Sequence, residues 1–272
     1  MPDPTGAPLT AGPTGFQDRT ALVVGGSRGL GRAVAIALAR EGCRVLAAGR
    51  SQEGLRDAAM AAGARGLSLA TARGDVTKEA VARRLVRLAA AGGVSRRRKG
   101  RGASRSRGSA PDILVHAVGD YWEGPFSALT PERWESLVHS NVTSAITVLR
   151  AALPGMRRRR YGRILLFGVA GGDAPRATGR AHAYRAAKIA LLTLARSVAH
   201  EEAENGITVN VILPGVIQTR GLPASWRSAA AKIPARRLGS PKEIARAALF
   251  LLAEESGYIT GSALHVSGGY LL

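Results

Sequence analysis

Ala21-Leu-Val-Val-Gly-Gly-Ser-Arg-Gly-Leu-Gly31 decides the fold of this 272-residue chain. A short run of β character flows into a loop with glycines at 25, 26, 29 and 31, and apolar residues at helical spacing follow from Leu30 to Arg40. In a strand–glycine loop–helix unit the helix N-terminus favours negative charge, and the glycines let the main chain come close to a pyrophosphate. A tight turn with no ligand is the plainer reading of such a loop. Its position between a strand and a helix favours the dinucleotide.

The rest of the chain repeats the rhythm. Cys43-Arg-Val-Leu-Ala-Ala48 reads as a second strand ending at Gly49-Arg50-Ser51, and a helix from Glu53 to Ala62 is closed by Gly63. A third strand, Leu67 to Thr71, leads to Asp75-Val76, with Thr77 expected to cap a helix from Lys78 to Ala91. Further strands are read at Ile113–Ala117, Arg163–Phe167, Ile207–Leu213 and Ala263–Val266. Between them lie a helix from Thr130-Pro131 through Asn141 to about Ala152, one bearing Tyr184 and ending near Glu204, and one opened by the capping box Ser240-Pro-Lys-Glu243. Seven strands alternating with helices imply parallel pairing and right-handed crossovers. The expected fold is α/β: one Rossmann-type, doubly wound parallel sheet with helices on both faces. The domain is placed at 17–272, with residues 1–16 as a disordered leader.

Composition narrows the field. Apolar residues make up 46% but aromatics only 4%, so the core must come from Ala, Val, Leu and Ile, as suits buried parallel strands. The single Cys43 excludes a disulfide framework and fits a reducing, cytoplasmic compartment. No apolar run reaches the ~18 residues of a membrane span. No His/Cys cluster has metal-ligand spacing. The net charge is +20, and residues 92–110 hold seven basic side chains and no acid. That Arg/Gly/Ser-rich insertion could steer an acidic partner or nucleic acid toward the chain. It lacks the interleaved aromatics that stack on bases, and a solvated insertion is the preferred reading. The Arg157–Arg160 run ends a helix, where cations complement the dipole.

Tyr184-Arg-Ala-Ala-Lys188 carries the chemistry. Four residues apart on a helix, a phenol and an ammonium share one face. The lysine is expected to stabilise the phenolate and pull its pKa below ~10, toward a useful acid/base range.

With these elements in order, the chain resembles the short-chain dehydrogenase/reductase family from about Gln17 onward, closest to its 3-oxoacyl-[acyl-carrier-protein] reductase branch. Val24-Gly25-xxx-Gly29-x-Gly31 resembles the family's TGxxxGxG loop, so Gly25, Ser27, Arg28, Gly29, Leu30 and Gly31 are expected to cradle the cofactor. Asp75-Val76 resembles the pair that holds the adenine ring, and His116-Ala-Val-Gly119 stands where the family has Asn-Asn-Ala-Gly. Pro214-Gly-Val-Ile217-Gln-Thr219 resembles the segment that closes on the nicotinamide. The resemblance implies that Tyr184 protonates a carbonyl oxygen, that Lys188 holds the ribose, and that Asn141 fixes a water linking Lys188 to solvent. It also implies a homodimer or homotetramer that pairs the helices around Asn141 and Tyr184.

Two departures matter. An acid after the second strand would hold ribose hydroxyls; Gly49 occupies that place and Arg50 follows, suited to a 2′-phosphate. Arg28 offers a second cation, so NADP(H) is expected over NAD(H), against the plainer reading of two solvated arginines. The second departure is that no serine lies between Gly162 and Tyr184, and Val169 falls at the family's serine position. Thr178 and His182 are the candidate substitutes. The expected function is interconversion of a ketone and a secondary alcohol on a small or carrier-bound substrate. The alternative is a cofactor-binding sensor or scaffold of little turnover.

Overall fold

A computed structural model describes residues 15–93, 109–174, 177, 180–219, 222 and 228–272. Its strands are β1 (Thr20–Val24), β2 (Arg44–Gly49), β3 (Ala70–Arg73), β4 (Ile113–His116), β5 (Gly162–Phe167), β6 (Ile207–Pro214) and β7 (Ala263–Val266). They form one parallel sheet in the order β3-β2-β1-β4-β5-β6-β7. The helices are α1 (Gly29–Arg40), α2 (Gln52–Gly63), α3 (Glu79–Ala90), α4 (Pro131–Val138), α5 (Ser144–Arg159), α6 (His182–Glu202) and α7 (Pro241–Leu252).

Because the central strands are covered on both sides, their middle residues are apolar on both faces of the sheet, and polar residues such as Thr20, His116 and Arg163 fall at the strand ends. Leu22, Leu46, Leu114 and Leu166 point into the layer shared with α3, α5 and α6. The alternate residues Val23, Val45, Val115 and Leu165 fill the layer shared with α1, α2 and α7. Each such side chain contributes about 1.5–3 kcal/mol on full burial. Phe16 joins the second layer at 2% exposure, so packing begins before the expected boundary at Gln17. Residues 1–14 and most of the basic insertion, 94–108, lie outside the described residues.

Several local expectations shift. β3 begins at Ala70 and not at Leu67. Leu67 instead returns its N–H to the Ala62 carbonyl after the left-handed Gly66, closing α2. Thr77 does not cap α3: the cap position is Lys78. The Thr77 hydroxyl and N–H both donate to Asp75 Oδ1, at 2.7 and 3.0 Å, so a local turn claims the side chain first. The helix expected from Thr130 to Ala152 is interrupted by a π-helical turn at His139–Thr143 and extends past Pro154 to Arg159. Gly155 and Met156 are buried there, and packing holds the last turn despite the proline. The arginines ending α5 do more than answer the helix dipole. Arg157 Nε lies 2.9 Å from both oxygens of the fully buried Glu202, and Arg159 donates to the Pro111 carbonyl at 3.0 Å. They staple α5 to the end of α6 and to the approach of β4.

Close packing of α1 on the glycine loop depends on Gly31, where a Cβ would lie 2.3 Å from the Gly25 carbonyl oxygen. Gly31→Ala therefore lowers stability by about 1–3 kcal/mol in chemical denaturation. Gly63→Ala, at a site with no atom within 4 Å, leaves stability unchanged or slightly higher.

Candidate active site

β2 and β4 flank β1 on opposite sides, and the loops after these strands part to open a crevice at the carboxyl edge of the sheet. Its volume is about 490 Å³. The floor is the glycine loop. Gly25, at φ +83°, has no room for a side chain: a Cβ would stand 2.3 Å from the Ala117 carbonyl oxygen. Arg28, the residue preceding α1, gives no side-chain acceptor to the helix, so the first N–H groups of α1 are not capped from within. Ser27, Arg28, Gly29 and Leu30 line the crevice with Gly25. Arg50, Asp75, Val76, Gly119 and Thr219 complete much of the wall, and Tyr184 and Lys188 enter from α6.

Asn141 sits in the π-helical turn, fully buried, behind the wall residue Ser140. Its Nδ2 donates to the carbonyls of Leu137 (3.0 Å) and Asp120 (3.1 Å), while Oδ1 has no partner. Gly119 lets these groups approach. A Cβ there would lie 2.0 Å from Asn141 Oδ1 and 3.2 Å from Lys188 Nζ. Lys188 Nζ donates to the Phe167 carbonyl at 2.8 Å and stands 5.9 Å from the centre of the Tyr184 ring.

The tyrosine's acidity departs from expectation. Burial pushes the Tyr184 phenol up to about 12, opposed only in part by the cation of Arg185. Burial also pushes the Lys188 ammonium down to about 8. Desolvation disfavours both charged forms, and Lys188, turned to the Phe167 carbonyl, does not lower the tyrosine as expected.

His116 and Ile217 do not reach the crevice wall. Ile217 is buried in the core and bridges to Gly239. His116 lies beneath the crevice at 1% exposure, its Nε2 2.8 Å from Ser144 Oγ. That hydroxyl donates to the Ser140 carbonyl at 2.6 Å, so its one proton is committed and His116 Nε2 must be the donor. Nδ1 is then a buried acceptor without a partner. Burial first, and Lys188 second, depress the imidazole to about 3 and keep it neutral. Gly31 serves packing, not the wall.

Val169 follows the wall residue Gly168 and is half-buried. Thr178 lies outside the described residues. His182 packs edge-on against Trp122 (5.8 Å) and beside Phe126 (5.6 Å), with Nε2 buried and unpartnered. The ring of Tyr121 meets Tyr184 edge-on at 5.0 Å, and its hydroxyl donates to Glu123 at 2.6 Å. Two residues escaped the sequence reading. Asp120, directly after Gly119, lines the crevice and faces Arg50. Arg185, inside the Tyr184–Lys188 motif, is buried and donates to the carbonyls of Ala170 (2.8 Å) and Gly171 (3.1 Å). An acid beside a crevice motif was a readable signal; a buried arginine at a helix position was not. Among the described residues no cluster of His, Cys, Asp and Glu could hold a metal ion, and no helix is long and apolar enough to cross a membrane.

A nucleotide-type crevice at the strand-order reversal, with a tyrosine and a lysine one helical turn apart in its wall, defines a class, and the chain belongs to the short-chain dehydrogenase/reductase family of oxidoreductases. Residues 19–95 match the family model described as short chain dehydrogenase, and residues 101–271 the one described as Enoyl-(Acyl carrier protein) reductase. Among curated relatives, the 3-oxoacyl-[acyl-carrier-protein] reductase FabG of Escherichia coli (strain K12) is 34% identical over 93% of this chain and 98% of its own length. Acetoacetyl-CoA reductase of Shinella zoogloeoides is 35% identical over 92% of this chain and 98% of its own. A solved structure described as a short chain dehydrogenase/reductase family protein superposes with a TM-score of 0.79 at 29% identity, covering 94% of this chain and 98% of that one.

The buried imidazole has a measurable consequence. Between pH 6.5 and about 3 the unfolded chain takes up a proton that folded His116 refuses, so its contribution to stability is present above 6.5 and is lost as the pH falls. The loss is about 1.4 kcal/mol per pH unit within that window. His116→Asn removes this slope, and denaturation curves of both proteins at pH 7, 5.5 and 4.5 converge on the acid side by that amount.

Proposed function

We propose that this chain is an NADP(H)-dependent reductase that interconverts a ketone and a secondary alcohol, with Tyr184 as the general acid/base. The observation that carries the reading is the meeting of the Tyr184 and Lys188 side chains with the glycine loop and Asp75-Val76 in one crevice. The residues present fit a dinucleotide: bare backbone at Gly25, room of about 490 Å³, and a buried free acceptor at Asn141. When bound, the nicotinamide ring supplies or accepts the hydride.

The chain's own residues account for the proton. A phenol raised to about 12 is protonated at neutral pH, the form that gives a proton to a carbonyl oxygen during reduction. Lys188, at about 8, remains largely cationic at pH 7 and keeps two of its three N–H groups for the ribose or a water, the third being spent on Phe167. Asn141, with its Nδ2 anchored and Oδ1 free, holds that water. Val169 gives no hydrogen bond to the developing oxyanion, a deficit of ~2.7–4 kcal/mol, or a hundred- to a thousandfold in rate. Arg50 and Arg28, both in the crevice wall, take the 2′-phosphate. His116 and Ile217 give no side chain to the crevice wall.

The named activities of the relatives favour a 3-oxoacyl thioester, carried by a protein or by coenzyme A, as substrate. The same reading makes the protein a cytoplasmic homodimer or homotetramer that pairs through α5 and α6. Val169 motivates a second reading, a dinucleotide-binding protein of low turnover, and one experiment separates the two. NADPH oxidation is followed with acetoacetyl-CoA and a panel of ketones. Tyr184→Phe is expected to cut turnover by ~10²–10⁴. Val169→Ser is expected to raise it by up to about a hundredfold. NADPH that binds without being oxidised, or a rate indifferent to Tyr184→Phe, selects the low-turnover protein instead.

A further inference from the structure

Arg50 does not stand alone over the crevice. Its Nη2 is 3.4 Å from Asp120 Oδ1, and both residues line the cavity. Arg50 follows β2 and Asp120 follows β4, with β1 between them, so the pair reaches over the glycine loop. The main chain is fixed at both posts. The Asp120 carbonyl accepts from Asn141 Nδ2 (3.1 Å) and its N–H donates to Ser140 Oγ (3.2 Å); the Arg50 carbonyl accepts from Arg73 Nε (3.1 Å). The side chains are not fixed. They are 66% and 46% exposed, a wet pair that is cheap to break.

We infer that Asp120 is a specificity-determining residue for the cofactor: its carboxylate is a latch that engages one arm of the Arg50 guanidinium and competes with the 2′-phosphate of a phosphorylated dinucleotide. The guanidinium offers its bidentate face to one anion at a time in full strength. A phosphate entering beside Asp120 also meets a like charge. A dinucleotide with free ribose hydroxyls needs nothing from Arg50 and leaves the latch closed. Asp120 therefore tempers the preference that Arg50 creates, and neutralising it sharpens the discrimination.

The inference rests on Arg50 as the phosphate ligand, and the experiment tests the two separately. Dissociation constants for NADPH and NADH are measured by nucleotide fluorescence on the full chain for wild type, Asp120→Asn, Asp120→Ser, Arg50→Ala and the double variant Arg50→Ala/Asp120→Asn. With the latch, Asp120→Asn and Asp120→Ser each tighten NADPH two- to fivefold, the scale of one exposed ion pair. NADH moves by less than twofold, and most of the gain disappears when Arg50 is already Ala. If Arg50→Ala leaves the ratio of the two constants unchanged, the assignment of Arg50 falls and the latch with it. If Arg50→Ala collapses the ratio while both Asp120 variants shift the two nucleotides equally, weaken NADPH or change neither, the latch alone is overturned.

Discussion

Strands β2 and β4 leave β1 on opposite sides, and the chain can open a crevice at the carboxyl edge only because Gly25 and Gly31 carry no side chains there. The two glycines are one contact seen twice. The backbone of Gly25 presses against Ala117 at the end of β4, and α1 presses against the backbone of Gly25 through Gly31. A methyl group at either place would drive the helix from the sheet or the loop from the strand. Everything else in the site is referred to that contact, since the loops carrying Arg50, Asp75, Gly119 and Gly168 leave strands whose register is set against β1 directly or through one neighbour.

The same geometry sets the ionisation of Tyr184 and Lys188. Tyr184 and Lys188 are carried into a covered region between α6 and β5, where desolvation raises the phenol and lowers the ammonium. The ammonium is turned to the Phe167 carbonyl and lies nearly 6 Å from the centre of the tyrosine ring. A phenol so placed stays protonated at neutral pH and gives up its proton less readily than a free one. Beneath it, His116 holds a neutral ring under the floor, with its Nε2–H spent on Ser144. The crevice thus has a cationic amine in its wall and an uncharged acceptor below.

What could be read from the sequence follows the range of the forces involved. Apolar continuity and glycine punctuation located all seven strands, β3 with shifted bounds, and Gly25, Asp75, Gly119, Tyr184 and Lys188 all line the crevice; burial of the central strands and close backbone approach leave few alternatives. Local competition was less visible. Thr77 had the chemistry of a cap, but Asp75 two residues earlier captured it. The π-helical turn that presents Asn141 has no composition signal, since one extra residue in a helix is paid for by packing. Side-chain direction was harder still. Ile217 and His116 stand in motifs that border the crevice, yet each turns to the core. Arg185 reads as a surface helix residue until the fold brings two carbonyls to its guanidinium.

That arginine bears on the missing serine. The segment after β5, where Val169 stands, is held from three directions. Arg185 grips Ala170 and Gly171, and the Ala170 N–H donates to the Pro214 carbonyl at 3.2 Å. Asp173 accepts from His265 of β7 at 2.9 Å, an interaction that keeps its carboxyl below the usual range. A loop that had lost its role would have little reason to bury an arginine on two of its carbonyls. The backbone on either side of Val169 is thus held at Gly168, Ala170, Gly171 and Asp173. On the reading proposed above, valine there withholds one hydrogen bond and leaves the placement of Tyr184 and Lys188 unchanged, so the rate falls by a bounded factor.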